Sequence, residues 1–127
     1  QKLGLRRGST VALLGAPAGF EATLGVLPPD VTCRRDARRV ARTVLLFVRK
    51  ARALELRFPS SSRAVAEEGA LWILWPKQGA PIASDLTQAA VRAFGLAAGW
   101  VDYKIAAVDA TWSGLCFARR RTAQRRA

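Results

Sequence analysis

Charged residues stand where apolar runs end. Arg34 and Arg35 close Val31 to Cys33, Arg49 and Lys50 follow Thr43-Val-Leu-Leu-Phe-Val48, Lys77 follows Ala70-Leu-Trp-Ile-Leu-Trp-Pro76, and Asp109 follows Trp100 to Val108. A guanidinium offers a planar fork that matches phosphate or carboxylate, and a lysine adds a point charge. Arg34 or Arg35, Arg49 and Lys77 could together hold an anionic small molecule, or they could be solvated strand ends of a basic protein. Lys77 and Asp109 are the one acid-base pair this arrangement offers. Asp109 could serve as a base, or it could hold its own turn by accepting backbone hydrogens. Beside them, Gly15-Ala-Pro-Ala-Gly19 follows the run Thr10 to Leu14, and a glycine there lets a ligand approach the backbone closely. A purely structural turn is the competing reading.

Composition narrows the chemistry further. The 127 residues contain no histidine, which removes the commonest general base and every Ser-His or Cys-His pair. Two cysteines cannot make a zinc site or a disulfide framework, and Cys33 and Cys116 read as free thiols in two buried strands. A hydrophobic share of 50% argues for one packed domain and against disorder. No apolar stretch approaches the ~18 residues of a membrane span, so no membrane partner and a cytoplasmic location are expected.

These residues can meet only if the chain forms a sheet. Thr10–Leu14, Val31–Arg35, Thr43–Val48 and Ala70–Trp75 read as strands, the longer ones buried on both faces. Trp100–Val108 alternates, with Asp102 and Lys104 on one side and Val101, Tyr103 and Ile105 on the other, as a half-exposed edge strand would. Ser113–Ala118 reads as the last strand. Between them, Glu21 to Gly25 gives a short helical piece, and Ala51 to Phe58 a helix ending at Pro59. Ser60 to Ser62 would cap a second helix running to Glu68, with Gly69 as its stop. A further helix starts with Ser84 as N-cap and Asp85 in its first turn, and ends at Gly95 or Gly99. The Asp36 to Arg42 connection is short for a helical crossover, so it runs extended or the preceding strand is rudimentary. Strands alternating with helices predict an α/β fold with both sheet faces covered, and ligands beyond the carboxyl ends of the strands.

Val11-Ala-Leu-Leu-Gly-Ala-Pro-Ala-Gly19, Gly69-Ala-Leu-Trp-Ile-Leu-Trp-Pro76 and the terminal strand pair resemble the methyltransferases that use S-adenosylmethionine, in reduced form. Leu14-Gly-Ala-Pro-Ala-Gly-Phe20, Leu45-Leu-Phe-Val-Arg49, Leu71-Trp-Ile-Leu-Trp-Pro-Lys77, Ser84-Asp-Leu-Thr87 and Asp109-Ala-Thr-Trp-Ser-Gly114 are similar, more narrowly, to a family of small bacterial proteins of unknown function. The resemblance covers nearly the whole chain. It implies a three-layer Rossmann-like sandwich of six strands, order 2-1-3-4-6-5, with the last strand antiparallel, over residues 1–118. It brings no activity with it. The methyltransferase pattern has an acid two positions before the first glycine, a second glycine two after it, and an acid for the ribose at the end of strand 2. Here those positions hold Leu13, Pro17 and Arg34-Arg35, with Asp36 one step later, and these departures disfavour the cofactor.

The remaining signal is charge. Twenty-one Lys and Arg against nine Asp and Glu leave +12. It concentrates in Arg34 to Arg42 and in a tail, 119–127, expected to be mobile. Weak, non-specific nucleic-acid binding follows from such charge, without any helix-turn-helix or zinc-finger signature. The four tryptophans read as packing rather than as a stacking platform. The site candidates are therefore Gly15, Ala16, Pro17, Gly19, Arg34, Arg49, Lys77, Asp109 and Trp112. They suit an anion-binding module first, a minimal methyltransferase second and a nucleic-acid binder third.

Overall fold

The computed structural model describes residues 3–25 and 29–120. The run Thr10-Val-Ala-Leu-Leu14 is β1 (Thr10–Leu14), with Val11, Ala12 and Leu13 wholly buried. It lies between β2 (Thr32–Arg34) and β3 (Ala41–Phe47), both parallel to it. A strand covered on both faces needs apolar side chains in both directions, hence the unbroken run. β4 (Val65–Pro76) continues the sheet in parallel, and β6 (Trp112–Arg119) enters antiparallel between β4 and β5 (Trp100–Ala107). The order β2-β1-β3-β4-β6-β5 is the one the sequence resemblance implies.

Two cores cover the sheet. On one face Leu46, Ile73 and Phe117 pack against Leu54 and Phe58 of α2 (Ala51–Arg63) and Val91 of α3 (Gln88–Ala97). On the other, Leu13, Leu45, Trp72 and Leu74 are covered by Leu3, Leu5 and Phe20, the last from the four-residue α1 (Phe20–Thr23). Irregular chain and one helical turn thus replace a helical layer there. No helix among the described residues is long and apolar enough to cross a membrane.

Several local expectations give way to tertiary packing. The helix does not stop at Pro59, and no second helix spans Ser60 to Glu68. Leu54, Phe58 and Ser61 keep one buried stripe across the proline, which itself faces solvent. That burial outweighs the amide bond the proline removes. Ser60, Ser61 and Ser62 turn their hydroxyls back to the carbonyls of Arg57 and Pro59 instead of capping a new helix. Gly69 is not a helix stop but the tight point of a bulge. The β3–β4 register jumps from Ala41↔Val65 to Thr43↔Ala70, and a Cβ on Gly69 would lie 2.5 Å from the Arg42 carbonyl oxygen. The connection after β2 holds no helix. Arg34 donates to the carbonyls of Arg39 and Val40, tying it down.

The edge strand also departs from simple alternation. The register shifts between Asp102, opposite Phe117, and Lys104, opposite Cys116. This bulge sends Asp102 to the helical face, where it pairs with Arg92 at 2.9 Å, and Lys104 to the other. Val101, Tyr103 and Ile105 are all partly or largely exposed rather than forming a buried side. A bulged, charged edge resists pairing with other chains.

At the far end, β6 extends through Arg119, one residue past the expected domain boundary. Its guanidinium donates to the carbonyls of Ser62, Val65 and Ala66 at 2.8 to 3.2 Å and sits 4.9 Å over the Trp100 ring. Arg119 is therefore part of the domain. Arg120 follows it, its amide donating to the Gly99 carbonyl at 3.0 Å, and the remaining residues of the expected tail, 121–127, lie outside the described residues.

Candidate functional site at the carboxyl end of the sheet

β1, β2, β3 and β4 deliver their carboxyl ends to one pole of the sheet, which the β5–β6 turn also reaches. Gly15 leaves β1 at φ 75, where a Cβ would stand 3.0 Å from the Phe47 carbonyl oxygen. Only glycine meets both conditions without strain. Gly19, at φ 77, is the N-cap of α1 and accepts from the Ala22 amide.

Between these glycines the turn is held by an arginine that the sequence assigned to a ligand. Arg35 makes a two-pronged pair with Glu21, Nε to Oε2 at 3.0 Å and NH2 to Oε1 at 2.8 Å. The same guanidinium donates to the carbonyls of Ala16 (3.0 Å) and Pro17 (3.1 Å). Ala16 and Pro17 are thus bound from within. Arg34 likewise turns away from the strand ends, onto its own connection and toward Asp36 at 3.5 Å. Of the expected crevice cations, Arg34 and Arg35 are engaged by the chain itself.

The Arg35 bond holds the Glu21 carboxyl below its usual range, with the turn's own backbone bond adding to the effect. A depressed carboxylate stabilises the fold above its unfolded pKa, and that contribution disappears as pH falls through the folded value. Acid titration followed by thermal melting should therefore show part of the loss below pH 4.5 vanish in Glu21→Gln. An acid limb identical in wild type and Glu21→Gln would show that the pair carries no weight.

Trp112 is not a surface group over the glycine turn. It is buried and meets Phe47 edge to face (centroids 5.1 Å apart), which in turn meets Phe20 at 4.7 Å. This row of three rings, from β6, β3 and α1, belongs to the core on the face without long helices, against which Ala16 also packs. Asp109 takes the loop-holding role. Its Oδ1 accepts from the amides of Thr111 and Trp112, each at 2.8 Å.

Beyond β4 the chain Pro76 to Thr87 encloses a groove of about 350 Å³, lined by Lys77, Gln78, Ile82, Ser84, Asp85 and Thr87. The Lys77 amide donates to the Thr111 carbonyl (2.7 Å), anchoring the groove to the hairpin turn. Asp85 does not belong to the first turn of α3. Its Oδ1 accepts from the Ala51 amide at 2.8 Å, so it caps α2 and ties the groove to the start of that helix, two residues after Arg49. Thr87 is the N-cap of α3, accepting from Ala90, while Ser84 only closes a local turn with Leu86. Among the described residues no hydrogen bond or ion pair holds the Arg49 or Lys77 side chain. Sequence reasoning had no signal for Glu21 and Asp85, whose partners are far away in the chain, nor for Phe20 and Phe47, which look like ordinary core.

No protein-family model and no curated protein matches this chain. Solved structures do. A complex of DhpI with SAH superposes with a TM-score of 0.60 at 12% identity, covering 89% of this chain and 78% of that one. A complex of DhpI with SAM and HEP gives 0.61 at 12%, covering 86% and 78%. The ribosomal protein L11 methylase of Lactobacillus delbrueckii subsp. bulgaricus gives 0.60 at 12%, covering 93% and 73%. At such identity the likeness concerns architecture alone: this chain has a methyltransferase-like α/β fold.

Proposed function

We propose that the chain is a small-ligand module on a methyltransferase-like fold, taking an anionic molecule with phosphate or carboxylate groups and transferring no methyl group. The observation that carries this reading is the contrast among four cations at one pole. Arg34 and Arg35 are spent on the chain's own carbonyls and carboxylates, while among the described residues Arg49 and Lys77 stay unpaired after adjacent strands, Lys77 in the lining of the groove. Two free cations near a concave surface favour an anion.

The structural neighbours favour a second reading, a minimal methyltransferase. The residues do not fit S-adenosylmethionine. Leu13 is wholly buried, and neither it nor Pro17 can anchor an ammonium group. Arg35 stands where an acid would meet the ribose, and its guanidinium bonds the turn that would otherwise wrap the cofactor.

Thermal-shift measurement across phosphorylated and carboxylated metabolites tests the proposal. A ligand at 100 times its Kd adds about 2.7 kcal/mol, a shift of several degrees, and Lys77→Ala should abolish it. Failure of the whole panel to raise the melting temperature would sink the reading.

A further inference from the structure

The groove does not use the cations at the edge of the sheet. There the bulge in β5 separates neighbouring charges. Asp102 turns to the helical face and is paired with Arg92, whereas Lys104 lies opposite Cys116 on the face without long helices. Between them Tyr103 is 61% exposed, the one exposed aromatic side chain among the described residues. The tryptophans are buried at 0 to 5% exposure.

Tyr103 leans over the same face as Lys104. Its phenol lies close enough to the Cys116 thiol, a member of the core opposite α2 and α3, for each to act on the other's ionisation. The N-terminal segment passes alongside, since a Cβ on Gly4 would stand 3.5 Å from Lys104 Nζ. Arg6, two residues on, is exposed, and Arg6 and Arg42 both lie within electrostatic range of the phenol. They favour its ionised form, yet burial and the thiol contact prevail and push it up to about 12. The ring is neutral at physiological pH and repels no anion. Among the described residues no carboxylate is seen to act on it.

We infer that this surface docks single-stranded nucleic acid, with the Tyr103 ring as a stacking platform for a base and Arg6, Arg42 and Lys104 neutralising phosphates. An exposed ring amid cations, without an acid, combines the two elements that sequence-tolerant single-strand binding requires. The net charge of +12 adds long-range attraction. Bases stacked within a duplex cannot lie on the Tyr103 ring, so the platform suits a single strand.

Fluorescence anisotropy with the full chain and a labelled oligodeoxythymidylate tests the inference. Tyr103→Ala should weaken binding by about tenfold, the loss of one base stack, while Tyr103→Phe and Tyr103→Trp retain it. Replacing Arg6, Arg42 and Lys104 together by glutamine should flatten the slope of log affinity against log salt by about 2. Arg38→Gln, on the connection after β2, should leave affinity unchanged. Thermal melts of each variant separate lost binding from lost folding. Wild-type affinity in Tyr103→Ala, an Arg38→Gln loss equal to that of the triple variant, or Tyr103-dependent binding of phosphatidylserine vesicles but not of the oligonucleotide would overturn it.

Discussion

Phe47→Ala is expected to cost about 4 kcal/mol of folding stability, within the range for truncating a buried aromatic. Phe47 is the middle ring of the row that runs from Phe20 to Trp112, and it is 4% exposed. Its removal leaves both outer rings without their edge-to-face partner and opens a void in the core. Because a domain of this size holds only about 5 to 15 kcal/mol in total, the variant should unfold at much lower urea. Phe47→Leu, which refills most of the volume, should lose under about 1.5 kcal/mol. Equilibrium denaturation reads both. A Phe47→Ala midpoint matching wild type would mean the row is loosely packed.

The second large effect is at Gly95, inside α3. A Cβ there would lie 2.2, 2.7 and 2.8 Å from three carbons of the Phe117 ring, which is itself wholly buried in β6. The ring cannot retreat, so helix or sheet must shift, and overpacking of this kind costs up to about 3 kcal/mol. Alanine returns about 1 kcal/mol of helix propensity. Gly95→Ala should therefore lose about 2 kcal/mol, measurable as a melting temperature lower by several degrees. A gain of about 1 kcal/mol, as for an exposed helical glycine, would place α3 farther from the sheet.

That glycine also marks how far the sequence could be read. Gly95 and Gly99 looked equally able to end the helix, because a packing glycine and a terminating one are the same residue. The difference lies in Phe117, which reaches α3 only through the fold. Runs such as Val44 to Phe47 and Leu71 to Trp75 were legible because burial on both faces leaves a continuous apolar signature. Pro59 misled for the opposite reason. Its local rule was outweighed by the buried stripe of Leu54, Phe58 and Ser61.

The candidate site was legible as a set of strand ends and not as a set of contacts. Chain order identifies which residues end a strand, so the turn at Gly15, Arg49, Lys77 and Asp109 were found. Whether a guanidinium faces outward or folds back depends on acceptors elsewhere. Arg35 meets Glu21 and two turn carbonyls, and Arg34 meets its own connection, so two expected ligand cations became structural clamps. Asp109 took the commoner role for an aspartate at a turn.

We propose that the carboxyl pole of this sheet holds no S-adenosylmethionine, since Arg35 bonds Glu21 and the Ala16 and Pro17 carbonyls there and the Phe20, Phe47 and Trp112 rings pack in a row. Calorimetric titration of the full chain with S-adenosylmethionine, carried to the order of millimolar, tests it most directly. No saturable heat is predicted, and the same titration of Arg35→Ala should stay flat, because Leu13 and Pro17 still offer the cofactor no anchor. Saturable one-to-one binding to the wild-type chain would contradict the claim and restore the methyltransferase reading.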